Sequence, residues 1–149
     1  MPTPITIRPV VEEDRPFWLA LWLGYQAFYR ETIPEAATEA TWRRLLDPVE
    51  PVEGALALAG AEPVGFVHYL FHRSTWTVQD NCYLQDLFVS PATRGQGAGR
   101  RLIEHVFDAA RRRGVPRVYW LTHETNGTAR RLYDTLAENA GFVEYARVP

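Results

Sequence analysis

Hydrophobic and polar residues alternate over Ile5-Thr6-Ile7-Arg8, the period of a strand buried on one side, and Pro9 ends the run. The period then lengthens. Phe17, Leu21, Tyr25 and Phe28 recur at helical spacing, behind Glu12-Glu13-Asp14 and Pro16, which suit the start of a helix. A polar bend follows, and a second helix is predicted over about residues 35–46, between Pro34 and Pro48. From Gly54 short apolar runs and a period of two return. They predict strands over residues 55–59 and 64–71, joined by the turn Gly60-Ala61-Glu62-Pro63, and a third over residues 82–89 that ends at Ser90-Pro91. Together these three read as an antiparallel meander.

Leu102, Ile103, Val106, Phe107 and Ala110 then mark one face of a helix. Arg111-Arg112-Arg113 and Gly114 close it, cations facing the negative end of the helix dipole and glycine permitting a left-handed cap. The arginine run is accordingly read as a helix terminus. A strand over residues 117–121, a helix over about 126–139 carrying Ala129, Leu132 and Leu136, and a last strand over 141–145 complete the chain. The order is β, two helices, three strands, helix, strand, helix, strand, an α/β (α+β) arrangement. No repeat or linker interrupts it, and one domain over residues 1–149 is expected.

Composition supports a single core: 46% of the 149 residues are hydrophobic, with five Trp, seven Tyr and seven Phe. The apolar stretch at residues 17–28 is too short and polar to span a bilayer, and Met1-Pro2-Thr3-Pro4 has no secretory pattern. A cytoplasmic location is expected, in keeping with a lone cysteine, Cys82. A net charge of −2, with arginine clusters only at 100–101, 111–113 and 130–131, argues against general nucleic-acid binding. All sixteen basic residues are arginine. The chain therefore has no lysine amine. No metal-ligand spacing is present, and His68, His72 and His105 read as structural or exposed.

Chemistry concentrates in Arg94-Gly95-Gln96-Gly97-Ala98-Gly99-Arg100-Arg101, where a strand passes through glycines into a helix. Glycines admit an anion close to the backbone, and amides at a helix start point at it along the dipole. Arg94, Arg100 and Arg101 are candidates to add charged hydrogen bonds. No Gly-Lys-Ser/Thr follows, so this is not a nucleotide P-loop. Further on, Asn126 and Tyr133 lie seven residues apart on one helix face, so that one ligand can touch both. Asn126 is also in an N-cap position, and Tyr133 also suits an amphipathic core.

Arg94-x-x-Gly97-x-Gly99 after Asp86-Leu87-Phe88-Val89 resembles the acetyl-coenzyme A loop of the GNAT superfamily of N-acetyltransferases. The resemblance implies a mixed, mostly antiparallel sheet of about six to seven strands flanked by four helices. It implies acetyl-coenzyme A as cosubstrate and no metal, with contacts at Leu87, Phe88, Val89, residues 94–101, Asn126, Ala129 and Tyr133. A backbone amide at Leu87 or Phe88 would polarise the thioester carbonyl, and Tyr133 would protonate the leaving thiolate.

The tail resembles the polyamine, histone and D-amino-acid subgroup, and the stretch around Tyr83-Leu84 resembles the spermidine/spermine type. Many such relatives carry Glu just before the Asp, where this chain has Gln85. An amide is no base. Asp86, His123, Glu124 or a neutral incoming amine are the alternatives, so catalysis is assigned to Tyr133 with Asp86 and Gln85. Trp22, Tyr25, Tyr29, Glu31 and Gln85 are the expected acceptor wall, aromatics and carboxylates that suit a cation. The acceptor is expected to be a small amine (polyamine, amino acid or related metabolite) or a peptide. The alternative is a coenzyme-A-binding sensor or structural protein without catalysis. By analogy the final strand is an edge through which a homodimer can form.

Overall fold

The computed structural model describes residues 3–149; Met1 and Pro2, part of the terminal pattern above, lie outside the described residues. Strands β1 (Ile5–Pro9), β2 (Val52–Ala59), β3 (Glu62–His72) and β4 (Asn81–Val89) follow one another antiparallel. The short β5 (Val118–Tyr119) lies parallel to β4, so the sheet order is β1-β2-β3-β4-β5. Helices α1 (Arg15–Phe28), α2 (Glu35–Leu46), α3 (Ala98–Arg112) and α4 (Gly127–Leu136) flank it.

Both faces of the sheet are covered, which is why β2 and β3 read as nearly continuous apolar runs. Val67, Tyr69 and Phe71 of β3 join Leu102, Ile103 and Val106 of α3 on one face, with Leu132 of α4 beside them. Phe66 joins Leu56, Phe88 and the indoles of Trp18, Trp22 and Trp42 from α1 and α2 on the other. Gly65 lets β3 and β4 close up, since a Cβ there would stand 2.7 Å from the Phe88 carbonyl oxygen. At the start of α1, Asp14 is buried and accepts from Arg8 Nη1 and Nη2 at 2.6 and 2.8 Å and from the Val11 amide at 2.9 Å.

Three expectations change. The buried stripe of α1 is Trp18, Leu21 and Trp22, whereas Phe17 and Phe28 stand outside at 43% and 48% exposure. The larger indoles take the core because they remove more apolar area from water. The strand expected over 117–121 shortens to two residues. The last strand does not form: the sheet has five strands, not six to seven, and Phe142, Val143, Tyr145 and Val148 are exposed. Alternation makes a strand only where an edge offers a ladder, and a two-residue β5 offers little.

Candidate active site

The site is built at an irregularity in β4. His68 pairs with Asp86 but Tyr69 pairs with Leu84, so Gln85 is an extra residue, a β-bulge. The bulge changes which face each side chain meets. Before it, Cys82 and Leu84 pack on the α3 side; after it, Phe88 packs on the α1 side and Leu87 returns to the α3 side. Gln85 is left exposed, while the Asp86 side chain turns inward to 15% exposure. There Asp86 Oδ1 accepts from the Tyr25 hydroxyl at 2.9 Å, and Oδ2 lies 3.0 Å from His68 Nδ1.

Beyond the bulge β4 also parts from β5. Their ladder covers only Cys82 with Val118 and Tyr83 with Tyr119, so Leu87, Phe88 and Val89 of β4 have no ladder partner on β5. Tyrosines line this region. Tyr25 meets Tyr29 edge to face at 5.0 Å between centroids, and Tyr83 stacks on Tyr119 at 5.0 Å. Tyr133 packs edge to face on Trp120 at 5.4 Å. Burial raises the Tyr133 hydroxyl above its ordinary range, with nearby Tyr29 adding to it, so it stays a proton donor through neutral pH. Burial first, and then the Asp86 charge, raise Tyr25.

The glycine loop closes the other end of β4. A 3-10 turn at Pro91–Thr93 leads to Gly95 and Gly97, both left-handed with φ +82° and +86°, and neither has any atom within 4 Å of where a Cβ would stand. Gly97 is the N-cap of α3, whose first amides have no partner within the helix. Backbone donors thus open onto free space at a positive dipole end, which fits a pyrophosphate. The arginines are arranged differently from expectation. Arg101 donates to the Ile5 carbonyl on β1, Arg100 to Thr135 Oγ1 at 2.7 Å, and Arg94 lies 4.4 Å over the Phe28 ring. Gly99 lies under Leu132 of α4, 3.5 Å from a Cβ position, which seats α4 against the loop.

The sequence profile of the acetyltransferase (GNAT) family matches residues 14–137. The chain belongs to that family. This GNAT acetyltransferase is 36% identical over 145 residues to a D-amino-acid N-acetyltransferase of Saccharomyces cerevisiae, covering 96% of this chain and 90% of the relative. It is 34% identical over 85 residues to a thialysine N-epsilon-acetyltransferase of Caenorhabditis elegans, spanning 57% of this chain and 52% of that one. Its fold matches the solved structure of AAC(6')-Iy in complex with the bisubstrate analog CoA-S-monomethyl-acetylneamine, with a TM-score of 0.84, coverage of 98% and 99%, and 19% identity. At that identity the likeness is one of fold.

Within the GNAT frame, Tyr25 and Asp86 come together at the bulge that Gln85 forms, and Tyr29 packs on Tyr25. Trp22 does not join the acceptor wall: it is buried and its indole donates to Thr38 Oγ1 at 3.0 Å, tying α1 to α2. Asn126 caps α4, its Oδ1 accepting from the Ala129 amide at 3.4 Å. Glu31, His123 and Glu124 are exposed. Trp18 and His68 were not singled out for the site, yet both belong to its support. They are fifty positions apart in the chain and carry no motif, and the only hint is a histidine at a buried-strand position two residues after Phe66. An open groove of about 590 Å3 along α1, lined by Phe17, Phe28, Phe88 and Pro91 among others, contains none of Gln85, Asp86 or Tyr133.

Proposed function

We propose that this acetyltransferase moves the acetyl group of acetyl-coenzyme A directly onto a primary amine of a small molecule, such as a polyamine, an amino acid or a related metabolite, or of a peptide. The observation that carries this reading is Asp86, a partly buried carboxylate fixed by two hydrogen bonds just past the bulge and beside an open strand edge. When bound, acetyl-coenzyme A supplies an activated thioester. The amides at residues 95–100 hold its pyrophosphate, and an amide of Leu87 or Phe88 donates to the carbonyl oxygen. Asp86 takes the ammonium proton of the acceptor, directly or through water, and Tyr133 returns a proton to the departing sulfur. Tyr25 and Tyr29 give a cationic acceptor aromatic faces and Asp86 gives it a counter-charge.

The D-amino-acid and thialysine acetyltransferases named above support a small amine as acceptor. We place the enzyme in the cytoplasm, which its single buried thiol suits, and read it as a homodimer that covers the exposed Phe142, Val143, Tyr145 and Val148. Thiol release from acetyl-coenzyme A across a panel of amines, with the acetylated product identified by mass, tests the activity. Release that never rises above the amine-free rate would leave only a coenzyme-binding protein.

A further inference from the structure

The support of Asp86 reaches into the core. Trp18 of α1 is fully buried, and its indole N–H donates to His68 Nε2 at 2.9 Å. An indole nitrogen can only donate. Nε2 must therefore be the accepting, hydrogen-free nitrogen, and the ring hydrogen sits on Nδ1, 3.0 Å from Asp86 Oδ2. The ring's surroundings are otherwise apolar: Trp18 and Trp22 from α1, Phe66 on its own strand and Gly54 on β2. Asp86 is the carboxylate that touches it from β4, and Tyr25 holds that carboxylate's second oxygen.

We propose that Trp18 is a tautomer lock, which by occupying His68 Nε2 makes His68 a fixed, uncharged donor that orients Asp86 and preserves its strength as a proton acceptor. The two alternatives for the ring are both harmful. The opposite tautomer would turn a lone pair toward the carboxylate. An imidazolium would put a positive charge 3.0 Å from Asp86 and weaken it as a base, since an adjacent opposite charge favours the ionised carboxylate. One buried N–H excludes both. Trp18 and His68 are thus positioning residues, and the proposal rests on the reading of Asp86 as the acceptor of the amine's proton.

The test begins with the wild-type protein, in which nitrogen NMR of 15N-labelled histidine distinguishes the two tautomers and the imidazolium, and His68→Asn assigns the signal. The expected result at neutral pH is the Nδ1–H pattern, with Nε2 as the accepting nitrogen. An Nε2–H pattern, or the imidazolium, overturns the lock whether or not any amine is acetylated.

Kinetics give the second arm. Trp18→Phe keeps an aromatic ring but frees Nε2 to take a proton, and turnover should then fall by about tenfold or more toward acid pH relative to wild type. The KM for acetyl-coenzyme A should hold. His68→Asn places an amide donor where Nδ1 stood and cannot gain a proton, so adding it to Trp18→Phe should remove that acidic limb. A folded Trp18→Phe protein whose pH profile runs parallel to wild type would also overturn the proposal. Wild-type turnover in Asp86→Asn would instead sink the reading of Asp86, and the NMR pattern, which needs no turnover, keeps the two failures apart.

Discussion

Gln85 and Asp86 are neighbours in the chain with unlike surroundings, because the bulge leaves one in solvent and turns the other against Tyr25 and His68. Their substitutions should differ accordingly. Asp86→Asn is expected to lower turnover by about 10²-fold or more, the scale of lost acid-base help, while Gln85→Ala stays within a few fold. Tyr133→Phe should lower turnover comparably and leave acetyl-coenzyme A affinity nearly intact; steady-state kinetics at saturating acetyl-coenzyme A check all three. Asp86 and Tyr133 entered as candidates through the motifs around them in the sequence. The inward turn of Asp86 was not legible there, since a bulge depends on strand register. A second carboxylate has a purely structural task. Arg8, by its hydrogen bonds to Asp14, holds that carboxyl below the usual carboxylate range. A depressed folded value contributes stability that is complete above the unfolded pKa and is lost as pH falls through the folded one. Asp14→Ala should therefore cost about 1–2 kcal/mol at pH 7, a figure reduced by the exposure of Arg8, and the gap to wild type in urea unfolding should shrink below about pH 4.

At the scale of elements, the four helices and the meander were readable because their periods are long and their stops are chemical, with Pro34 and Pro48 around α2 and Gly114 after α3. The ends of the sheet were not. Apolar alternation at 117–121 and 141–145 describes a propensity, and strand formation needs a partner edge that local pattern does not reveal. The choice of stripe on α1 was misread for a related reason. Phe17 and Trp18 are both good core residues, and only packing against Trp42 and Phe66 decides between them. The glycine loop gives this scale its prediction. Gly97→Leu must adopt a left-handed φ at about 1–2 kcal/mol cost and fills the space in front of the α3 amides. The wild-type protein should gain about 2.7 kcal/mol of stability from acetyl-coenzyme A at a hundredfold excess over Kd, and the variant none. Thermal melts with and without the coenzyme show this directly.

The whole molecule joins two apolar layers across one sheet, and the candidate site lies where β4 bulges and its ladder with β5 ends. Its 149 residues include no lysine, so none of their side chains is an amine that acetylation could take. Its one thiol, Cys82, is fully buried, and burial pushes it up to about 12, which keeps it a poor nucleophile. The chain's one thiol is therefore ill suited to carry an acetyl group between coenzyme and acceptor, in keeping with the proposed direct transfer from thioester to amine. The most direct measurement is a single turnover with acetyl-coenzyme A limiting, sampled by quench and intact mass from the earliest times. The account predicts that free thiol and acetylated amine appear together while the protein mass stays unchanged. A transient acetyl-protein that decays as the product rises, or thiol release without acetylated amine, would contradict it.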